Sequence, residues 1–284
     1  MVTPFTTDGA VDYDRAAGLS AQLIEHGTTC LVVTGTTGES ATLTRDEKLL
    51  MYTAVREAVG PETKVLAGTG SYDTAETVLL SVEAEETGVD GLLVVTPYYN
   101  KPTQEGLYQH FKAINDSIRI PILIYNIPAR SVIDMSVDTM KRLFELKNIA
   151  GVKDATANVV RVSQQRAALG EDFNQMSGED ATALGFMAHG GHGCISVTSN
   201  VAPRLCAEFH NACLKGDYST ALKLQDKLMP LHHNLFIETN PAPVKYALSL
   251  LGKCAETVRL PMVTLAEKSK QEVRAAMVHA GLIN

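Results

Sequence analysis

The sequence lacks the features that attract nucleic acids or membranes. It carries no basic cluster, and its formal net charge is −7 at pH 7. No apolar run is long enough to cross a bilayer, and the chain turns polar directly after Met-Val-Thr-Pro-Phe, without the pattern of a signal peptide. We therefore expect a small-molecule partner, no nucleic acid, no membrane and a cytoplasmic location.

The sequence also lacks paired cysteines and metal-binding motifs. Its five cysteines are an odd number without any C-x-x-C pair, which argues against a disulfide framework and against a zinc site. The dipeptide His232-His233 lacks the i,i+4 spacing and the glutamate of a helical zinc site. There is no Walker loop and no dinucleotide-binding Gly-x-Gly-x-x-Gly fingerprint. We predict a reducing compartment, no metal and no cofactor.

What is present is a regular alternation of strand-like and helix-like segments. Hydrophobic residues make up 45% of the 284 residues and charged residues 20%, which is ordinary for a globular chain. Short apolar runs alternate with helical patterns, which is typical of βαβ units around a parallel sheet. The predicted strands are residues 30–34, 64–68, 91–96, 120–125, 149–153, 173–177 and 193–198.

The number of alternations decides between two architectures. An eighth strand would have to lie at residues 1–3, which is short for a strand, so we expect the first strand to be truncated. The segment Thr44-Arg-Asp-Glu47 predicts a capping box that opens a helix ending at Val59. Eight alternations favour an α/β fold of the (β/α)8 TIM barrel type over an open doubly wound sheet. We predict the barrel at residues 1–215 and a C-terminal helical extension at 216–284.

Lys153 ends one of the apolar runs, in the segment Ile149-Ala-Gly-Val-Lys-Asp-Ala-Thr156. An ammonium in apolar surroundings loses hydration, so the pKa of such a group falls and a fraction becomes a neutral amine that attacks carbonyls. Schiff-base lysines are made in this way. The alternative, a lysine that caps the strand and extends to solvent, stays open on this segment alone.

Polar or small residues follow most of the predicted strands. In a barrel, the C-terminal ends of the strands form the active-site face, so these groups are expected to converge with Lys153. They include Thr34, Gly68, Thr96-Pro-Tyr-Tyr99, Tyr125-Asn126, Ser177-Gly178 and Ser196.

Several of these groups suit a reaction between an amine and a carbonyl compound. The loop Gly35-Thr36-Thr37-Gly38-Glu39 offers N–H and hydroxyl donors for a carboxylate or phosphate. The alternative interpretation is an ordinary βα turn. Hydroxyls for proton transfer during carbinolamine formation are offered by Tyr98, Tyr99 and Tyr125. The alternative interpretation is that these are buried aromatic residues whose hydroxyls have local partners. Arg130 offers a forked donor for a substrate carboxylate. The alternative interpretation is that it forms a surface ion pair.

Five segments carry a resemblance to a known family. They are Gly35-Thr-Thr-Gly-Glu-Ser40, Thr96-Pro-Tyr-Tyr-Asn100, Tyr125-Asn-Ile-Pro-Ala-Arg130, Gly151-Val-Lys-Asp154 and Gly191-His-Gly-Cys-Ile-Ser196. Together they resemble the dihydrodipicolinate synthase family of pyruvate-dependent class I aldolases, over nearly the whole chain. Lys153 and Tyr125-Asn126 match the wider superfamily, which includes N-acetylneuraminate lyase. Thr36-Thr37 and Arg130 in their contexts are more specific to the synthases.

The resemblance implies a Schiff-base mechanism. Lys153 would bind pyruvate covalently, and the enamine would attack the aldehyde of L-aspartate semialdehyde, giving hydroxytetrahydrodipicolinate for lysine and diaminopimelate biosynthesis. Thr36 and Tyr125 would form a proton relay with Tyr99, which reaches in from a neighbouring subunit. A relay across an interface implies a homo-oligomer, commonly a tetramer of two dimers in this family.

The resemblance also implies how the substrates are held. Thr37 would bind the pyruvate carboxylate, and Arg130 would bind the carboxylate of the semialdehyde. Gly178 and the backbone carbonyl of Ile195 would lie near the bound pyruvate. Relatives carry several more residues before the stretch that matches Val2-Thr3-Pro4, in keeping with a truncated first strand.

A lysine-binding site at the dimer interface is a further implication, from which this chain departs. Inhibited relatives match this chain at Ser40, Ala41, Glu76 and Tyr98, but their two histidines and asparagine are replaced here by Arg45, Lys48 and Tyr72. Because two cations facing an ammonium ligand weaken its binding, we expect poor inhibition by lysine.

Two other functions fit Lys153 and its neighbours. One is another aldolase of the superfamily, which cleaves a sialic or keto-deoxy sugar acid. The other is a non-catalytic barrel that senses a keto acid, in which Lys153 would be solvated.

Overall fold

The computed structural model describes all 284 residues and contains seven β-strands and twelve α-helices. The strands are β1 (Cys30–Val33), β2 (Lys64–Gly68), β3 (Gly91–Val95), β4 (Ile122–Asn126), β5 (Ile149–Asp154), β6 (Asn174–Ser177) and β7 (Gly193–Cys194). The helices are α1 (Tyr13–Glu25), α2 (Arg45–Val59), α3 (Thr74–Glu86), α4 (Gln104–Ser117), α5 (Pro128–Ser131), α6 (Val137–Phe144), α7 (Val160–Leu169), α8 (Ala183–Ala188), α9 (Pro203–Leu214), α10 (Tyr218–Asn234), α11 (Ala242–Leu250) and α12 (Glu267–Ala280). Each predicted strand from residue 30 onward is confirmed. Strand β7 ends earlier than predicted, because the chain winds into a 3-10 helix at Thr198–Asn200.

The contacts divide the chain into two compact units. The first unit consists of Met1–Lys64 together with Ser196–Asn284, and the second of Val65–Ile195. The predicted boundary between residues 215 and 216 falls between α9 and α10 and stays a prediction.

The second unit is built on parallel strands. From β2 to β7, each strand pairs in parallel with the next one along the chain. Parallel neighbours require crossover connections, which the intervening helices provide. Leu92, Ile122, Ile124 and Val152 are fully buried, in keeping with the near-continuous apolar runs of parallel strands.

The register between β4 and β5 positions the candidate nucleophile. The pairing shifts by one residue after Ile122, so that Leu123 opposes Gly151 and Tyr125 opposes Lys153. Because a shift of one residue turns side chains to the opposite face, this irregularity decides which face Lys153 occupies. Glycine is needed at position 151, since a Cβ there would lie 2.0 Å from the carbonyl oxygen of Asn174.

The first unit is built mainly from helices. Helix α1 packs against α2, and α10 packs against α9 and α12. Helix α2 begins with the predicted capping box: the Thr44 hydroxyl accepts from the N–H of Glu47 at 3.2 Å, and the Glu47 carboxylate accepts from the N–H of Thr44 at 2.9 Å. None of the twelve helices combines the length and the apolar character that a membrane span requires.

Residues 1–3 do not form the predicted first strand. The N–H of Val2 donates to Asn200 Oδ1 at 3.0 Å, and the hydroxyl of Thr3 donates to the carbonyl of Gly38 at 2.6 Å. The terminal ammonium of Met1 donates to the carbonyl of Val32 in β1 at 2.7 Å. The polar groups of residues 1–3 are therefore satisfied by one strand carbonyl, a side chain and a loop, without a strand ladder. The expectation that the first strand is truncated stays a prediction.

Candidate active site

Lys153 lies near the end of β5, next to Tyr125 of β4. The lysine is only 8% exposed, and its Nζ lies 4.1 Å from the centroid of the Tyr125 ring. The face of an aromatic ring attracts a cation. No carboxylate forms an ion pair with this Nζ. A buried amine without a carboxylate partner is suited to nucleophilic attack.

The carboxylate of Asp154, the next residue, is held by several donors. Its Oδ2 accepts from Arg161 Nε and from Gln165 Nε2, each at 3.0 Å. Its Oδ1 accepts from the N–H of Thr156 at 3.0 Å and from the hydroxyl of the same residue at 2.6 Å. Because these donors occupy both oxygens, Asp154 anchors the end of β5 and is not a free base.

Arg161 links the ends of β4 and β5. Besides Asp154, its guanidinium contacts Asp134 Oδ2 at 3.0 Å. Asp134 Oδ1 in turn accepts from Asn126 Nδ2 at 2.7 Å, and Asn126 is the last residue of β4. Arg161 of α7 and Asp134 of the segment before α6 belong to none of the sequence motifs. Their only signal in the sequence is their charge, which is common on helix surfaces.

The end of β6 lies against the lysine. A Cβ at Gly178 would be 3.1 Å from Lys153 Cε and 2.7 Å from Ala155 Cβ, so only glycine fits there. The N–H of Ile195 donates to the carbonyl of Ser177 at 2.8 Å, which places residue 195 beside the end of β6. The structure thus brings Gly178 to Lys153.

Glu179 is a further carboxylate in this region that the motif analysis missed. Burial raises its pKa above the ordinary value and so does the charge of Asp180, while the Lys153 ammonium acts weakly in the opposite direction. No group of three or more His, Cys, Asp or Glu side chains in the structure is arranged to hold a metal ion. A carboxylate with a raised pKa near an amine is suited to proton exchange. The signal available in the sequence was its place directly after Gly178.

Tyr99 and Tyr98 point into different environments. Tyr98 is partly buried, its ring packs edge-on against Tyr72 at 5.4 Å between centroids, and burial raises its pKa. Tyr99 is 89% exposed, with a left-handed backbone at φ +66°. Its ring is therefore not packed against Tyr125 or Lys153 of the same chain.

Arg130 lies on the short helix α5, directly after β4. This helix begins with Pro128, whose fixed φ suits the first helical position. It ends at Ser131 and is followed by Val132, whose backbone is left-handed. The residue is exposed at the end of the strand that carries Tyr125. This placement is compatible with capture of a carboxylate from solution.

In the first unit, Thr36 and Thr37 lie in a tight turn after β1. The N–H of Gly38 donates to the carbonyl of Gly35 at 3.0 Å, and the N–H of Glu39 donates to the carbonyl of Thr36 at 3.1 Å. Thr37 Oγ1 accepts a hydrogen bond from Asn240 Nδ2 at 2.9 Å. Because this oxygen is an acceptor for Asn240, the Thr37 hydroxyl keeps its own proton to donate to an anionic oxygen.

The residues predicted to bind lysine fall into two groups. In the second unit, Tyr72 and Tyr98 are in ring contact, and Glu76 lies in the first turn of α3. In the first unit, the others occupy one continuous segment and are Ser40, Ala41, Arg45 and Lys48.

Comparisons with known proteins cover the whole length of the chain. The model of the dihydrodipicolinate synthetase family matches residues 1–280. The 4-hydroxy-tetrahydrodipicolinate synthase of Afipia carboxidovorans is 68% identical over 285 residues, which cover 100% of this chain and 96% of the relative.

Solved structures resemble the chain over nearly its whole length. Dihydrodipicolinate synthase from Aquifex aeolicus superimposes with a TM-score of 0.97 at 43% identity, covering 99% of this chain and 96% of that one. The dihydrodipicolinate synthase from Acinetobacter baumannii, complexed with pyruvate, gives a TM-score of 0.97 at 42% identity, covering 100% and 97%. This likeness confirms the predicted fold class, an α/β barrel of the TIM type with C-terminal helices.

Proposed function

This chain belongs to the dihydrodipicolinate synthetase family, and on that premise we propose that Lys153 is the nucleophile that binds pyruvate as a Schiff base. The activity is that of a 4-hydroxy-tetrahydrodipicolinate synthase, a class I aldolase-type lyase of lysine biosynthesis. The observation that carries the assignment is the buried position of Lys153 beside Tyr125, without an ion-pair partner.

The covalent steps follow from amine chemistry. The neutral Nζ attacks the ketone carbon of pyruvate, and the carbinolamine loses water to give the Schiff base. Loss of a proton from the methyl group gives an enamine, whose terminal carbon attacks the aldehyde of L-aspartate semialdehyde. The amino group that came from the semialdehyde then attacks the Schiff-base carbon and displaces Nζ, which closes the ring of the product and frees Lys153 for the next turnover.

The proton transfers are assigned to hydroxyl groups. Tyr125 supports this role because its ring stacks beside Lys153 Nζ, at 4.1 Å from the centroid. By resemblance to the family, Thr36 and Tyr99 complete the relay. A phenol and an alcohol in series move a proton without placing a permanent charge next to the amine.

Substrate carboxylates are assigned to Thr37 and Arg130. The available proton of Thr37 suits the carboxylate of pyruvate, and the exposed guanidinium of Arg130 suits that of the semialdehyde. Gly178 leaves room for pyruvate beside the lysine, since any side chain there would fill that space. The backbone carbonyl of Ile195 is the remaining polar group that the resemblance assigns to this site.

We infer a homo-oligomer, a dimer of dimers, in which Tyr99 crosses the interface of the tight dimer. The exposed ring of Tyr99 supports this. Because the ring is not packed against Tyr125 or Lys153 of its own chain, it is available to complete the relay of a neighbouring subunit. Tyr72, 52% exposed and in contact with Tyr98, extends the same aromatic surface. Aromatic side chains are enriched in protein interfaces.

The test is reduction with borohydride in the presence of pyruvate, followed by peptide mass spectrometry. Hydride adds to the carbon of the Schiff base and fixes pyruvate as a secondary amine. We expect the pyruvate-derived adduct on Lys153 alone. Adduct formation by folded protein on other lysines, or on none, would refute the assignment.

Two variants make the labelling specific. Lys153→Ala is expected to abolish the adduct and the synthase activity. Lys141→Ala removes an exposed lysine of α6 and is expected to leave both unchanged. Supplying L-aspartate semialdehyde before the reductant should discharge the enamine and lower the yield of adduct in the wild-type protein.

A further inference from the structure

The loop that carries Thr36 and Thr37 is held in an unusual backbone conformation. It is bounded by Thr34 and Glu39, both non-glycine residues with left-handed φ angles of +52° and +55°. It is also folded tightly on itself, since a Cβ at Gly38 would lie 2.9 Å from the Cα of Thr34. Left-handed backbone costs free energy in residues other than glycine and persists where surrounding contacts impose it.

A buried ion pair holds the end of this loop. Lys245 Nζ of α11 lies 2.5 Å from Glu39 Oε1, and the exposed fractions of the two side chains are 0% and 2%. The same Nζ donates to the carbonyl of Thr257 at 2.8 Å and lies 3.8 Å from the centroid of the Phe5 ring. The N–H of Arg259 donates to Glu39 Oε2 at 3.1 Å. Both charges are therefore buried away from solvent.

Such a pair is a poor means of stabilising a fold. The cost of removing two charges from water is comparable to their attraction, and well-packed apolar residues are often as stable. Burial lowers the pKa of Lys245, while the carboxylate of Glu39 acts in the opposite direction. The pair instead fixes the direction of the Glu39 side chain, because a buried carboxylate between two donors has one favourable position.

We propose that Glu39 and Lys245 form a clamp by which α11 fixes the positions of the Thr36 and Thr37 hydroxyls, making both charged residues positioning residues for the reaction. Asn240 acts in the same direction, because its amide holds Thr37 Oγ1 directly. The inference rests on the roles proposed above for the two threonines. Neither Glu39 nor Lys245 is exposed to a substrate.

The clamp predicts a change in kinetics that a loss of stability does not produce. In Glu39→Gln, the amide retains the size of the side chain and an acceptor for Arg259, but the attraction to Lys245 is lost. Because the loop then shifts, we expect kcat/KM for pyruvate to fall about a hundredfold, with a raised KM, when rates are expressed per site that can be labelled on Lys153. A residue with a structural role only would lower the number of labelled sites and leave KM unchanged.

A double variant separates charge balance from positioning. Glu39→Gln alone leaves the buried ammonium unpaired, and Glu39→Gln with Lys245→Met removes that penalty. We expect the double variant to unfold at a higher temperature than the single variant while its KM for pyruvate stays raised. Recovery of the wild-type KM together with stability would overturn the clamp.

The matched control is the ion pair between Lys270 of α12 and Glu256, which lies between α11 and α12. Glu256 Oε1 lies 3.2 Å from Lys270 Nζ, and neither residue contacts the threonine loop. Glu256→Gln is expected to leave the KM for pyruvate unchanged. If wild-type protein gives no adduct on Lys153, the proposed function is refuted; if it does and Glu39→Gln keeps the wild-type KM, the clamp alone is refuted.

Discussion

Lys153 and Asp154 are consecutive residues of β5 with opposite electrostatic surroundings. Neighbours in a strand point to opposite faces, so the carboxylate of Asp154 does not neutralise the amine beside it in the chain. Asp154 is bound by Arg161 and Gln165 of α7, whereas Lys153 faces the ring of Tyr125. Lys153 and Tyr125 were recognisable from the sequence because each ends an apolar run. The partners of Asp154 were not, because their approach depends on how α7 packs.

Crowding the lysine tests the fit at Gly178. In Gly178→Ala, the new methyl group would press on Lys153 Cε and on Ala155. Since a displacement of about 1 Å can cost a hundredfold in rate, we expect formation of the pyruvate adduct to slow by about that factor. Gly185→Ala is the control, because its Cβ would lie at an ordinary 3.4 Å from Val159 Cγ1. Adduct formation at the wild-type rate in Gly178→Ala would contradict the fit.

His110 of α4 links stability to pH. It is 4% exposed, and burial lowers its pKa from 6.5 to about 4. As pH falls below 6.5, the unfolded chain binds a proton at this position and the folded protein does not until about pH 4. The free energy of unfolding should therefore decrease across that window.

The variant His110→Gln lacks this titration and should lose less stability across the same window. The measurement is the urea midpoint as a function of pH, with His279→Gln as a control for an exposed histidine. Equal pH slopes for wild type and His110→Gln would show that His110 is not the cause.

At the scale of elements, local signals were more reliable than signals that depend on distant partners. The capping box of α2 was predicted residue by residue, because both of its hydrogen bonds lie within the first turn. The end of β7 and the conformation of residues 1–3 were not predicted from the sequence, because a strand forms only beside a neighbouring strand of matching register. Residues 1–3 bind Val32, Asn200 and Gly38, and no pattern near residues 1–3 in the sequence identifies those partners.

Removal of the cap should weaken α2. In Thr44→Ala, the N–H of Glu47 loses its acceptor, and we expect the free energy of unfolding to fall by about 1 kcal/mol. Thr53→Ala is the matched control, because Thr53 lies within α2 and its hydroxyl donates only to the carbonyl of Leu49. Alanine favours helix interiors, so this control should be neutral or stabilising. Equal losses in the two variants would argue against the cap.

The first turn of α2 also carries the two cations that are expected to weaken inhibition by L-lysine. By the resemblance described above, Arg45 and Lys48 match the histidines of lysine-inhibited relatives, so we expect poor inhibition of the synthase reaction by L-lysine. Replacing both with histidine should strengthen inhibition, measured as the lysine concentration that halves the rate. Strong inhibition of the wild-type protein at micromolar lysine would refute this prediction.

At the scale of the whole molecule, the contacts that organise the site were invisible in the sequence. Asn240 and Thr37 are separated by 203 residues, and Arg259 and Glu39 by 220. The motif around Thr36 and Thr37 identified the loop itself, because the residues are consecutive. It contained no information on which distant residues hold the loop, since none of them forms a recognisable pattern.

The shared relay can be tested with two inactive variants. Lys153→Ala lacks the nucleophile, and Tyr99→Phe lacks the hydroxyl proposed to cross the interface. When the two are co-expressed, we expect about a quarter of the wild-type rate, since random pairing makes half of the dimers mixed and each of those has one intact site. Each variant expressed alone is the control. A mixture no more active than the two variants alone would show that Tyr99 serves its own chain.

The discontinuous first unit has a consequence for biosynthesis. Residues 65–195 are continuous in the chain and form one compact unit, so every segment of this unit is synthesised before α11. The first unit begins with Met1 but needs Arg259, which binds the carbonyl of Gly9 across 250 residues. Such high contact order makes folding slow. The threonine loop is therefore synthesised early and anchored last, and a nascent chain interrupted before α11 would carry this loop without the ion pair between Glu39 and Lys245.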